Sequence, residues 1–138
     1  MTVRHRKREV VMRSTLFLLL AILGSIFKTS GALPKTDPDE EVLAQLKKAG
    51  ADLSKPHKIE FFLYFPEETA AKEAGARIKQ AGFDVDVRRA AQGPEWLCFA
   101  TRAMVPELAA LQKIRREFVA LAASFGGEYD GWGTKVVK

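Results

Sequence analysis

The order of two hydrophobic periodicities along residues 37–138 constrains the fold more than any other feature of the chain. Some segments alternate apolar and polar residues, as strands do, and others repeat apolar residues at spacings of three and four, as helices do. In chain order they predict one helix and then strand, helix, strand, strand, helix and strand. The predicted segments are Glu40–Ala49, His57–Phe65, Glu67–Ala81, Phe83–Val87, Trp96–Thr101, a long helix from Pro106, and Tyr129–Val137.

Residues that begin and end helices support these boundaries. Asp37 is placed to cap the first helix, with Pro38 at its first position and Glu40 three residues after the cap. Gly82 follows the second helix and Gly126 the third, and glycine readily takes the left-handed conformation that ends helices.

This order, with right-handed crossovers, predicts an α+β fold of the ferredoxin-like βαββαβ type, preceded by a short helix. Four strands form one antiparallel sheet, and the two main helices cover one of its faces. Alternation directs Phe61 and Leu63 toward those helices, together with Val85 and Val87. A domain of about 100 residues can bury a sufficient core without a disulfide or a metal.

The other face of the predicted sheet carries aromatic side chains. Alternation places Phe62 and Tyr64 there, and Trp132 joins them if the register of the last strand allows it. An apolar patch on a sheet face suggests a partner. A second interpretation is that the short helix Glu40–Ala49 folds across this face and covers it.

Residues 1–36 form a leader of different composition, with seven Lys or Arg residues and one Glu, a net charge of +6. Ser14–Phe27 is uncharged and apolar, which predicts a hydrophobic helix that is either a signal sequence cut after Ala32 or a retained anchor. Positive charge before this stretch predicts a membrane-associated protein with its domain, residues 37–138, outside the cytoplasm. A cytoplasmic domain is the alternative.

The domain shows no sign of binding nucleic acid directly. It holds fifteen basic and sixteen acidic residues, and nucleic-acid binding usually requires clustered basic charge. The pairs Arg88-Arg89 and Arg115-Arg116 are interpreted as solvated surface. The third strand, Trp96–Thr101, lacks the basic residue and the glycine of RNA-recognition motifs.

Groupings that carry catalysis, metals or cofactors are absent from the sequence. Cys98 is the single cysteine and lies in an apolar run, which predicts a buried, inert thiol. Glu128 and Asp130 could form a carboxylate pair, but no neighbouring group is evident that would desolvate either one. The sequence therefore predicts a binding module that is not an enzyme and uses no cofactor.

The end of the domain resembles a known family. The run Glu128–Thr134, which reads Glu-Tyr-Asp-Gly-Trp-Gly-Thr after Gly126-Gly127, is similar to the regulator of ribonuclease E activity B family. The segment Leu53–Pro56 leading into Ile59–Leu63, and the long helix before the glycine pair, agree with it. The resemblance covers about Val42 to Thr134.

This resemblance implies a ferredoxin-like domain that binds ribonuclease E and inhibits it, altering RNA decay without chemistry of its own. An exported or anchored domain that binds an envelope protein or a small ligand is the alternative function. The oligomeric state is left open. The candidate partner-binding residues are Phe62, Tyr64, Tyr129, Asp130 and Trp132, although packing is the favoured interpretation for Tyr129 and Trp132 and bracing of a turn for Asp130.

Overall fold

The computed structural model describes residues 36–138, and the predicted signal or anchor, Ser14–Phe27, lies outside that range. The described chain contains three helices and four strands. The helices are α1 (Pro38–Lys48), α2 (Glu68–Gln80) and α3 (Leu108–Ser124), and the strands are β1 (His57–Phe65), β2 (Asp84–Arg89), β3 (Trp96–Met104) and β4 (Glu128–Thr134). Within this range, no helix combines the length and the apolar character needed to cross a membrane.

The start of α1 confirms the predicted cap. The Asp37 carboxylate accepts hydrogen bonds from the backbone N–H groups of Asp39 (2.8 Å) and Glu40 (3.3 Å), and Pro38 occupies the first turn. These bonds satisfy two of the donors that a helix start leaves without an intrahelical partner. The helix begins at Pro38, the first helical position that the cap predicts.

The four strands form one antiparallel sheet in the order β2-β3-β1-β4, which confirms the α+β class and the four-stranded antiparallel sheet. β1 is central and pairs with β3 on one side and β4 on the other. Phe62 lies opposite Phe99, and Phe61 lies opposite Ala100. Since side chains alternate across a strand, Phe61 and Phe62 point to opposite faces of the sheet.

All three helices pack into the core on one face, which we call the helix side. Phe61 contacts the rings of Phe83 and Phe118 edge to face, at centroid distances of 5.5 and 5.4 Å. Val42 and Leu46 of α1 belong to the same core. The interpretation in which the first helix covers the opposite face is therefore wrong, because its apolar stripe is buried on the helix side.

Helix α2 lies close to the sheet, as its alanine-rich face predicts. Its buried positions are Ala71, Ala74, Gly75 and Ile78. The helical spacing of apolar residues also predicts Ala70 and Ala81 to face inward, but Ala81 is exposed, so the helix is rotated slightly from that face. A Cβ atom at Gly75 would lie only 3.0 Å from Val85 Cγ1. The absent side chain thus permits the close approach of α2 to β2.

Candidate protein-interaction site

The structure divides the five predicted site residues between the two faces of the sheet. Phe62 and Tyr64 point away from the helices and form a small cluster with Leu97. Tyr129 and Trp132 are buried in the core on the helix side. The prediction that Trp132 could join Phe62 and Tyr64 is wrong.

A β-bulge in β4 explains the position of Trp132. Phe62 lies opposite Gly131, but the next residue of β1, Leu63, lies opposite Tyr129, so Asp130 is an extra residue in β4. Tyr129 and Trp132 are three positions apart and would face opposite sides of a regular strand. The bulge brings both to the helix side, and Gly131 adopts the positive φ of 117° that the distortion requires.

Trp132 takes part in a buried polar network with Asp39 of α1 and Arg115 of α3. The Asp39 carboxylate is fully buried; it accepts hydrogen bonds from Trp132 Nε1 at 2.9 Å and from Arg115 Nε and an Arg115 terminal nitrogen, each at 2.9 Å. Burial alone would lower the pKa of the Arg115 guanidinium, but its hydrogen bonds to Asp39 and the negative charge of Asp39 outweigh that effect and raise the pKa.

This network joins α1 to α3 and β4, so it serves the fold. It shows that the interpretation of Arg115 as solvated surface is wrong, whereas the neighbouring Arg116 is exposed. Sequence reasoning missed the pairing because Asp39 and Arg115 are 76 positions apart and no local pattern connects them. The usable signal was an acid inside the first turn of an amphipathic helix.

The face of the sheet opposite the helices, which we call the outer face, carries a second aromatic cluster. Phe62, Tyr64 and Leu97 are its buried members, with relative exposures of 7%, 1% and 5%. Phe99 packs against them, with its ring centroid 5.3 Å from that of Phe62. These four residues are the outer-face cluster.

Charged side chains surround the outer-face cluster. The Arg88 guanidinium lies 4.8 Å from the centroid of the Phe99 ring and forms an ion pair with Asp86. Burial raises the pKa of the Glu60 carboxyl. Burial also raises the pKa of the Tyr64 hydroxyl, and the negative charge of the nearby Asp130 raises it further. The Asp130 carboxylate, on the bulge residue of β4, is thus near enough to the Tyr64 hydroxyl to affect it.

Cys98 points to the helix side, where burial raises the pKa of its thiol to about 12, so thiolate chemistry near neutral pH is unfavourable. Residues 36–138 contain no cluster of three or more His, Cys, Asp or Glu side chains that could hold a metal. The outer face offers aromatic rings and charges, which are the means of protein recognition.

Comparison with known proteins identifies the domain. The chain matches the family described as Regulator of ribonuclease activity B over residues 36–134, a range that contains every described helix and strand. No curated protein matches the chain. The chain therefore belongs to the regulator of ribonuclease activity B family, whose members are regulatory proteins rather than enzymes.

Proposed function

We propose that this protein binds ribonuclease E through its α+β domain and lowers the rate of RNA decay by covering part of the enzyme. The family match over residues 36–134 carries the proposal, because it includes the whole sheet and all three described helices. In this mechanism the domain makes and breaks no covalent bond. Its effect arises from the surface that it occupies on the ribonuclease.

The outer face is the surface that we assign to the partner. Interface centres are rich in aromatic residues and are surrounded by a polar rim, and the outer-face cluster with its charged neighbours fits that description. Phe62 and Tyr64 are on this side of the sheet, and the charge of Asp130 acts on the Tyr64 hydroxyl. Tyr129 and Trp132 support β4 from the helix side, so their rings would not contact a partner docked on the outer face.

The proposal includes the ferredoxin-like classification of the domain. Its support is the strand order β2-β3-β1-β4 with antiparallel neighbours, in which α2 connects β1 to β2 and α3 connects β3 to β4. Such a sandwich leaves one sheet face without a covering layer of its own main helices. That arrangement leaves an aromatic sheet face that another segment or protein can cover.

A cleavage assay with purified ribonuclease E tests the proposed function. The full-length protein is expected to slow cleavage of a model RNA in proportion to its concentration. Phe99→Glu, which places a charge in the outer-face cluster, is expected to weaken inhibition by at least about tenfold. Val119→Glu on α3 is the control, because Val119 is 48% exposed on the other side of the molecule. Equal inhibition by both variants would exclude the outer face.

An exported domain that binds an envelope protein or a small ligand is the second candidate function. The leader favours it, because its net charge of +6 precedes an apolar stretch, as in segments that direct a domain across a membrane. A reporter that is active only in the periplasm, fused after Lys138, separates the two candidates. Reporter activity supports export, and silence supports regulation in the cytoplasm.

A further inference from the structure

The outer face carries buried side chains that belong to no part of the core on the helix side. Phe62, Tyr64, Leu97 and Thr101 are each at most 7% exposed, although they point away from the helices. Helices α1, α2 and α3 all contribute to the core on the helix side. None of these three helices lies over the outer face, so among the described elements that face has no covering layer.

We propose that the leader of this same chain, residues 4–27, packs on the outer face and covers the outer-face cluster. The inference goes beyond the proposed function, since it concerns a contact within one chain. Two properties of the leader match this surface: its apolar stretch and its positive charge. The position at which the described chain begins provides a third argument.

The charges of the two surfaces are opposite. Six carboxylates lie on or beside the outer face against three basic side chains, a net charge of −3, and residues 1–36 have a net charge of +6. The acids are Glu60, Asp84, Asp86, Glu95, Glu128 and Asp130, and the bases are Lys58, Arg88 and Lys135. Such complementarity favours docking and fixes its orientation.

The apolar stretch of the leader also matches the apolar side chains of the outer-face cluster. Ser14–Phe27 carries no charge and includes the run Leu16–Leu23, so in water it needs an apolar surface against which to pack. The outer-face cluster provides aromatic and aliphatic side chains in one place. Basic residues of the leader, Arg4 to Arg13, would then lie beside the acidic rim.

The chain enters the domain where the leader can reach this face. The Asp39 carboxylate accepts a hydrogen bond from Trp132 Nε1 at 2.9 Å. Helix α1 therefore begins beside β4, which is an edge strand of the sheet. Residues 28–35 can span up to roughly 25 Å when extended, which exceeds the ~10 Å thickness of a sheet with its side chains. The leader can therefore pass around the β4 edge to the outer face.

Disulfide trapping in the full chain tests the contact. In a Cys98→Ala background, single cysteines at Leu16, Leu20 or Leu23 are combined with Phe99→Cys, and the control combines each with Val119→Cys on α3. We expect a disulfide within one chain in at least one Phe99→Cys pair, about tenfold more abundant than in its control because docking raises the effective concentration. Mass spectrometry after oxidation in detergent-free buffer measures the yield.

Two results would overturn the proposal. One is equal, low yields for the Phe99 and Val119 pairs at all three leader positions, as expected if the apolar stretch inserts into lipid instead. The other is a disulfide that forms only between two chains, which would identify a second copy as the occupant. Both readouts are independent of ribonuclease E, so they are distinguishable from a failure of the proposed function.

The charge argument has its own test in the trapped pair. Asp84→Lys on the outer face is expected to lower the disulfide yield several-fold, and raising the salt concentration is expected to do the same, because exposed charges are screened. Glu117→Lys is the control, since Glu117 is exposed on α3 and pairs with Lys113 at 3.5 Å. Equal yields for Asp84→Lys and Glu117→Lys would show that charge does not hold the leader there.

If the proposed function is also correct, the leader and the ribonuclease occupy the same surface, and this step rests on that function. The disulfide-linked Phe99 pair is then expected to inhibit ribonuclease E at least about tenfold less than the same protein after reduction. The Val119 control should inhibit equally in both states. Unchanged inhibition by the disulfide-linked protein would show that the leader and the ribonuclease use different surfaces. It would overturn this regulatory consequence.

Discussion

Two arginines on opposite sides of the sheet make the same kinds of contact in very different surroundings. Arg115, 29% exposed, binds the fully buried Asp39 and lies 5.3 Å from the centroid of the Tyr129 ring. Arg88, 52% exposed, binds Asp86, 59% exposed, and lies over the Phe99 ring. The same three kinds of group therefore connect elements of the fold on the helix side, whereas on the outer face they form part of the surface.

The difference shows that burial decides what an ion pair does. A buried carboxylate that loses its partner remains desolvated, whereas an exposed one is solvated by water. The helix-side group should therefore matter for folding and the outer-face group for recognition. Four predictions test this division, in order of decreasing effect on stability.

Arg115→Ala is expected to have the largest effect. It leaves the buried Asp39 with Trp132 as its remaining side-chain partner, so the free energy of unfolding should fall by about 3 kcal/mol. Urea denaturation followed by tryptophan fluorescence measures the change. Arg116→Ala is the matched control and should stay within about 0.5 kcal/mol of the wild type, because Arg116 is exposed. Similar losses for both would contradict the division.

Trp132→Phe is expected to cost about 2 kcal/mol. The substitution keeps an aromatic ring in the core but removes the Nε1–H that donates to the Asp39 carboxylate, and bonds to charged groups are worth about 1.5–3 kcal/mol. Trp96→Phe is the control, expected to cost less than about 1 kcal/mol, because Trp96 is only partly buried. If Trp96→Phe proves more costly, the network is not what secures β4.

Alkaline pH should destabilise the helix-side core through Cys98. The pKa of its thiol is raised by burial from 9.0 to about 12, so the unfolded state releases its proton first. Stability from this group is complete below pH 9 and is lost as the pH rises toward 12, with about 1.4 kcal/mol lost by pH 10. Unfolding free energies at pH 8, 9 and 10 measure the slope, which Cys98→Ala should flatten. An unchanged slope in Cys98→Ala would assign the effect to other groups.

Arg88→Ala is expected to have the smallest effect on stability, below about 1 kcal/mol, since it removes an exposed ion pair and an exposed cation–π contact. The same variant should weaken inhibition of ribonuclease E, because Arg88 borders the outer-face cluster. Denaturation and the cleavage assay, run on one preparation, measure both quantities. A loss as large as that of Arg115→Ala would make the two sides equivalent and refute the comparison.

Local patterns predicted the elements well, and long-range contacts account for the errors. The bounds of β1, His57–Phe65, and the Asp37 cap depend on neighbouring residues and agree with the structure. The side on which α1 packs depends on Asp39 reaching Arg115 and Trp132, which no local period encodes. For the candidate site, alternation placed Phe62 and Tyr64 on the correct face. It failed for Trp132 because it assumes a regular strand, and β4 contains a bulge.

The extra residue in β4 determines which face of the sheet each later side chain of that strand points to. If the strand lost its bulge but kept all seven residues, strict alternation would turn the indole of Trp132 from the helix side to the outer face, away from Asp39. The bulge thus decides whether the last aromatic ring of the domain packs in the core or lies on the outer face. In other chains of this family, the number of residues between this tyrosine and this tryptophan should therefore vary less than the identity of those residues.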